Sequence, residues 1–145
     1  MPVMVENRAA GQVDLAELLL RVTRVLSALG VGPAEELSLL IVDDEEMAEL
    51  NRRWLGRQGP TNVLAFSQRE GPAGPHSELL GDVVVSQETC AREVVEHDLE
   101  PDQHLLRLII HGVLHLLGYE HEQGGPAARR MEELTEQLLA AAWAE

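Results

Sequence analysis

The segment from about residue 102 to residue 117 is apolar on almost every side of the helix that its spacing predicts. A helix without a polar face cannot lie at the surface, so we expect it to be the central, buried helix of the fold. Pro101 suits its first turn, and Gly118 can end it by adopting a left-handed conformation. A chain of 145 residues has the usual size of one domain, so we predict that residues 1–145 form a single domain around this helix.

Strand and helix patterns alternate along the rest of the chain. Helical periodicity predicts amphipathic helices, and short apolar runs predict buried strands. The predicted strands are 2–7, 37–42, 62–66 and 80–85, and the other predicted helices are 14–29, 44–55, 87–98 and 126–143. We therefore predict an α+β fold, in which a small mixed sheet of about four strands packs against about five helices.

Local signals mark where some of these elements begin and where the chain turns. Asp43, with Glu46 three residues later, resembles a capping box with Asp in the place of Ser or Thr. Ser86 can cap the helix that follows it. Two prolines and two glycines in the stretch 69–78 predict an exposed loop between the third and fourth strands.

The formal net charge is −14 at pH 7, and every basic side chain other than histidine is an arginine. Such a charge repels nucleic acids and membrane surfaces at long range. No apolar run approaches the ~18 residues of a membrane span, and the N-terminus lacks the pattern of a signal peptide. We therefore expect a cytoplasmic protein without membrane contact. The single cysteine, Cys90, is expected to be a small, buried apolar side chain.

Three histidines near the end of the buried helix predict a metal centre. His111 and His115 are four residues apart, so on a helix they share one face, one turn apart. The turn at Gly118 can bring His121 back to the same point. Three imidazoles with one open position are the ligand set of a catalytic zinc ion, in contrast to a closed structural site with four ligands. We therefore predict one zinc ion per chain, held by these three histidines.

The spacing of the three histidines equals that of metzincin proteases, H-E-x-x-H-x-x-G-x-x-H. Those proteases place their general base, a glutamate, directly after the first histidine. This chain has Gly112 at that position, and glycine cannot accept a proton. The ligand frame of the protease is present without its base, so peptide hydrolysis is not the predicted activity.

Three sequence blocks resemble the YbeY family of bacterial rRNA maturation endoribonucleases. The family's zinc segment is H-G-x-L-H-L-x-G-Y-D-H, and residues 111–121 match it except at Glu120, where aspartate is usual. Residues 49–51 (ELN) followed by 60–66 (PTNVLAF) form the second block, and residues 80–83 (LGDV) form the third. The resemblance covers nearly the whole chain after about residue 35.

The resemblance implies an α+β fold, a zinc ion and single-strand-specific endoribonuclease activity in rRNA processing and ribosome maturation. It assigns the zinc to His111, His115 and His121, and it implies ribosomal RNA, the small ribosomal subunit and its assembly factors as partners. Two alternatives stay open. One is a ribosome-assembly binding protein whose zinc is mainly structural, and the other is a zinc hydrolase acting on another substrate. The sequence predicts neither the oligomeric state nor the catalytic base.

One departure from the family bears on the substrate. The family usually has an arginine after the aromatic residue that follows the Leu-Asn pair, whereas here Leu55 follows Trp54. Leucine cannot hold a phosphate, so neighbouring arginines become the candidates. We predict Arg57 and Arg107 as substrate-binding residues, with the alternative that Arg107 pairs with an acidic helix.

Two further polar residues carry expectations. His104 is expected to be a surface residue near a helix start. Asp82 either orients a ligand imidazole, since ligating histidines usually donate their second N–H to an acceptor, or caps local backbone.

Overall fold

A computed structural model of the protein describes residues 3–32, 35–67, 79–119 and 125–144. The elements follow the order β1 (Val3–Asn7), α1 (Leu15–Ala28), β2 (Glu36–Val42), α2 (Asp44–Leu55), β3 (Val63–Ser67), β4 (Leu79–Ser86), α3 (Gln87–His97), α4 (Pro101–Leu116) and α5 (Gly125–Trp143). Each lies within one residue of the element that the sequence predicts, so the α+β prediction is confirmed. The predicted loop 69–78 lies outside the described residues.

The four strands form one mixed sheet in the order β1-β2-β4-β3. β1 pairs with β2 and β2 pairs with β4, both in parallel, and β3 runs antiparallel to β4. The parallel pairs are joined through helices, as parallel strands require a crossover. β3 is therefore an edge strand, and it lies beside β4.

The two faces of the sheet are covered unequally. Alternate residues of β2 and β4, together with Val63 and Ala65 of β3, pack against α1, α3, α4 and α5 in one apolar core. The residues of opposite parity, among them Leu64, Phe66 and Val84, pack with α2 in a smaller cluster. Because successive side chains of a strand point to opposite faces, α2 and α4 lie on opposite sides of the sheet.

Helix α4 is the centre of the larger core. Ten of its sixteen residues are buried, which confirms the prediction made from its apolar sequence. Pro101 occupies its first turn, and Gly118 follows its end with a φ of 95°, in the left-handed region that favours glycine.

The two predicted helix caps have different outcomes. The Ser86 side chain accepts a hydrogen bond from the N–H of Thr89, so it caps α3 as predicted. The predicted capping box at Asp43 is wrong, because its side chain makes no hydrogen bond to the first turn of α2. That carboxylate accepts from the N–H of Ala10 at 2.9 Å, while Glu46 pairs with Arg8 at 2.6 Å. Both acidic groups are engaged by the segment that follows β1.

Across the described ranges, no helix combines the length and apolar character that crossing a membrane requires.

Candidate metal centre and its surroundings

Helix α4 carries two of the three predicted zinc ligands. His111 and His115 lie on successive turns of this helix, as the four-residue spacing predicts. His111 is half-buried and His115 is exposed, so the pair marks the point where the buried helix reaches the surface. His121, the third predicted ligand, lies outside the described residues. Among the residues that are described, no group of three metal-binding side chains comes together, so the zinc site stays a prediction.

Gly112, between the two histidines, lies against the sheet. A Cβ atom at this position would stand 2.7 Å and 3.0 Å from the two γ-carbons of Val83 and 3.3 Å from a γ-carbon of Val63. These distances are well below the 3.5–4.0 Å at which carbon atoms pack favourably. The position that holds the base in metzincin proteases is thus turned into the apolar core, where a glutamate side chain has no space.

His111 forms part of the wall of two surface concavities between α4 and α5, of about 320 and 670 Å³. Arg107, four residues before His111 on α4, also lines the larger one. Its Nε donates to Glu136 Oε1 of α5 at 3.3 Å. The structure therefore realises the alternative in which Arg107 pairs with an acidic helix, and its role in substrate binding stays a prediction.

Sequence reasoning did not single out Arg129, which lines the smaller concavity together with His111. Arg129 lies on the first turns of α5, is exposed, and makes no ion pair with any described residue. No sequence signal identifies it, because α4 and α5 come together only in the folded chain.

His104 is not a surface residue, and that prediction is wrong. Only 7% of His104 is exposed, and its Nε2 lies 2.9 Å from Glu93 Oε1 of α3. The same carboxylate accepts a hydrogen bond from Asn62 Nδ2 at 3.2 Å. Glu93 replaces the hydrogen bond of Nε2 to water, whereas the buried Nδ1 has no hydrogen-bond partner among the described residues. This network ties the residue that precedes β3 to α3 and α4.

Two other predicted residues have clear positions. Cys90 is buried on α3 as predicted, and burial, with the nearby Glu93 carboxylate, raises the pKa of its thiol to about 11. Asp82 is half-buried on β4 in register with Phe66, which places it on the face that α2 covers. Neither of the two roles predicted for Asp82 is tested by this position.

Arg57 and Leu55 lie at the C-terminal end of α2. Both side chains are exposed, and 44% of Leu55 is accessible to solvent. Because α2 and α4 cover opposite faces of the sheet, Arg57 and Arg107 approach from different sides of it. The structure therefore does not bring the two predicted substrate-binding arginines together on one helix surface.

A further cavity, of about 410 Å³, lies between α1, α3 and the first half of α4. Its walls are mainly apolar and include Cys90, Leu105 and Trp143. Neither His111 nor His115 lines it, so the candidate centre is not assigned to it.

Comparison with known proteins adds to this geometry. A family model described as Endoribonuclease YbeY matches residues 4–142 of the chain. A similar protein from Syntrophotalea carbinolica, named Endoribonuclease YbeY, is 46% identical over 94% of this chain and 92% of its own length. Another of that name, from Salinispora tropica, is 40% identical over 97% of this chain and 95% of its own length.

A solved structure has the same fold. The solution structure of a Thermotoga maritima protein superimposes with a TM-score of 0.66, covering 97% of this chain and 89% of that protein at 23% identity. At that identity the likeness concerns the fold alone.

Proposed function

We propose that this chain is a zinc-dependent endoribonuclease, because it belongs to the Endoribonuclease YbeY family. Its substrate is single-stranded RNA, and its role lies in rRNA processing and ribosome maturation. The family match extends over nearly the whole chain, so it includes every element that builds the candidate centre. The observation that carries the proposal is the pair His111 and His115, presented on successive turns where α4 reaches the surface.

The residues present fit a zinc ion. Imidazole nitrogen is a common zinc ligand, and the exposed imidazole of His115 makes no hydrogen bond to a described residue. The proposed ligands are His111, His115 and His121. When bound, zinc supplies a Lewis acid that polarises a phosphoryl oxygen and lowers the pKa of a nearby water.

Arg129 is proposed to hold the phosphate beside this centre. It borders the same concavity as His111 and Glu132, and it forms no ion pair with the residues that the structure describes. A phosphodiester gains negative charge in the transition state, and a fixed guanidinium stabilises that charge. In this proposal, Arg129 supplies the positive charge that the family's usual arginine provides and that Leu55 cannot.

The partners in this proposal are ribosomal RNA and the small ribosomal subunit. The net charge of −14 opposes RNA at long range, so binding relies on arginines close to the site. We expect cleavage of free RNA to weaken steeply as the salt concentration rises.

Metal analysis and RNA cleavage on one preparation test the proposal. Protein purified without chelator is expected to contain close to one zinc ion per chain, and the substitution His115→Ala to lose it. The same preparation is expected to cleave a labelled single-stranded RNA, and both chelator and His115→Ala to stop the reaction. Protein that lacks zinc, or whose cleavage equals that of His115→Ala, contradicts the proposal.

Arg130 offers a matched control for Arg129, because it is the next residue on the same exposed turn. Removing one preorganised donor costs on the order of 3 kcal/mol, roughly a hundredfold in rate. Arg129→Ala is expected to lose activity on this scale with zinc retained, and Arg130→Ala to lose little. Equal effects of the two substitutions would exclude a specific role for Arg129.

A further inference from the structure

The cavity of about 410 Å³ between α1, α3 and the first half of α4 is a feature that the proposed function does not use. Sites for small molecules typically have volumes of roughly 300–1,000 Å³, with walls that are mainly apolar and carry a few polar groups. The walls of this cavity include the buried side chains of Cys90, Leu105 and Leu106. Val95 also lines it and leaves 82% of its surface in water. A ligand in this space would therefore cover apolar surface that water now contacts.

The charged side chains that line the cavity are mostly acidic. They include Asp14 and Glu17 of α1 and Asp102 of α4. Arg21 is the basic side chain among the described residues that line it, so three negative charges and one positive charge leave the walls at a formal −2. Burial raises the pKa of Asp102 above its ordinary value, and the carboxylates of Glu100, Glu17 and Asp14 raise it further. Carboxylates from two helices thus act on the same space, which favours a cation there.

Arg21 is held by its own chain and is not available to attract an anion. Its guanidinium donates to the carbonyl of Ala142 at 2.7 Å, pairs with Glu17 at 3.2 Å and lies 4.6 Å from the centre of the Trp143 ring. Asp102, in contrast, is exposed and forms no hydrogen bond or ion pair through its side chain with the described residues. Asp102 is therefore the carboxylate that can receive a positively charged group.

We propose that this cavity binds a small organic cation, whose apolar body fills the space between α1, α3 and α4 while its protonated amine pairs with Asp102. The apolar walls supply most of the affinity, because they remove the body of the ligand from water. The acidic groups supply the selectivity, because they attract a cation and repel an anion of the same shape. The inference goes beyond the proposed function, which concerns His111 and His115, since neither histidine lines this cavity.

A matched series of probes tests the apolar and the charged part separately by isothermal titration calorimetry on the full chain. Phenylbutylamine is the cation, phenylbutanol and phenylbutanoate are its neutral and anionic analogues, and butylamine keeps the charge without the ring. We expect phenylbutylamine to bind saturably, with a Kd on the order of 0.1–1 mM. Phenylbutanol is expected to bind about 2- to 10-fold more weakly, as exposed ion pairs are modest, and phenylbutanoate more weakly still. Butylamine is expected to lose about tenfold or more, because it lacks the ring.

Side chains in the walls report where the probe binds. Trp54→Phe leaves Trp143 as the only tryptophan, and Cys90 is the only cysteine. Phenylbutylamine is expected to change the emission of Trp143 over the concentration range of the calorimetric titration, and to slow the reaction of Cys90 with a disulfide reagent. Ala91 lines the cavity and is exposed, so Ala91→Phe can fill part of the space without entering the core. This variant is expected to lose binding of phenylbutylamine and phenylbutanol alike.

Two substitutions that remove one negative charge each measure the contribution of Asp102. Asp102→Asn is expected to weaken phenylbutylamine binding about 2- to 5-fold and to leave phenylbutanol binding unchanged. Glu45→Gln removes the same charge from an exposed position on α2, across the sheet from α4, and is expected to leave both affinities unchanged. Circular dichroism and the urea midpoint establish that each variant is folded.

The outcomes decide on the charge preference and on the location. Phenylbutylamine that binds no more tightly than phenylbutanol, or equal effects of Asp102→Asn and Glu45→Gln, would overturn the inference. Binding that leaves Trp143 emission unchanged and persists in Ala91→Phe would place the ligand elsewhere and overturn it as well. These measurements involve neither RNA nor zinc, so they leave the endoribonuclease proposal to its own test.

Discussion

The close approach of α4 to the sheet makes Gly112→Ala an informative perturbation. In the interior of a helix, alanine is more favourable than glycine by about 1 kcal/mol, so on propensity alone the substitution stabilises. In this structure the new Cβ would stand 2.7 Å from a γ-carbon of Val83, an overlap of about 1 Å relative to normal carbon contact. Val83 is fully buried and β-branched, so its χ1 angle is restricted and its side chain has little space into which it can move.

Overpacking of this kind costs about 1–3 kcal/mol. Set against the propensity gain, Gly112→Ala is expected to lower the free energy of unfolding by about 0–2 kcal/mol. Val83→Ala removes both γ-carbons and leaves Val63, at 3.3 Å, as the nearest neighbour of the new Cβ. In that background the same substitution is expected to stabilise by about 0.5–1 kcal/mol, because only the propensity gain remains.

The assay is a double-mutant cycle in urea, with the free energy of unfolding extrapolated to water for wild type, both single variants and the double variant. The expected result is a coupling between positions 112 and 83 of about 1–3 kcal/mol, with the effect of alanine at 112 changing sign. If Gly112→Ala stabilises by about 1 kcal/mol in both backgrounds, α4 does not lie this close to β4. In that case position 112 has space for a side chain, and the close packing of α4 against β4 does not exclude a protease base there.

Three further predictions concern specificity, reactivity and pH. Gly112→Glu is expected to destabilise the fold and to yield no chelator-sensitive cleavage of casein, because a side chain at residue 112 would point into the sheet. Proteolysis by this variant that is lost when His115→Ala is added would contradict the prediction. The Cys90 thiol is expected to react with a disulfide reagent far more slowly in native protein than in urea. The thiolate is the reactive form, and burial raises the pKa of this thiol to about 11. Equal reaction rates in the two conditions would contradict the burial of Cys90. Burial raises the pKa of Asp44, but hydrogen bonds from Arg92, Ser86 and Thr89 outweigh this and leave it below the ordinary value. A carboxylate whose pKa is lower in the folded than in the unfolded state stabilises the fold at pH values above its unfolded-state pKa of about 3.9, and this stabilisation is lost as the pH falls through its folded-state pKa. The free energy of unfolding is therefore expected to decline less below pH ~4 in Asp44→Asn than in wild type. Parallel pH profiles of the two proteins would refute this.

Much of the local structure can be read from the sequence. The elements agree with prediction to within one residue because strands and helices have their own apolar periods and because Pro101, Gly118 and Ser86 act on their own neighbours. The pairing of His111 and His115 on one face follows from helix geometry alone.

The tertiary structure decided which of these elements meet. His104 is buried because Glu93 of α3 receives it, Arg107 is paired because Glu136 of α5 lies opposite, and the Asp43 carboxylate accepts from Ala10 rather than from its own helix. These partners are 11, 29 and 33 residues away in sequence, and a periodic pattern carries information only about neighbours a few residues apart. The position of α2 across the sheet from α4 likewise followed from how helices of similar pattern pack on the two faces of one sheet.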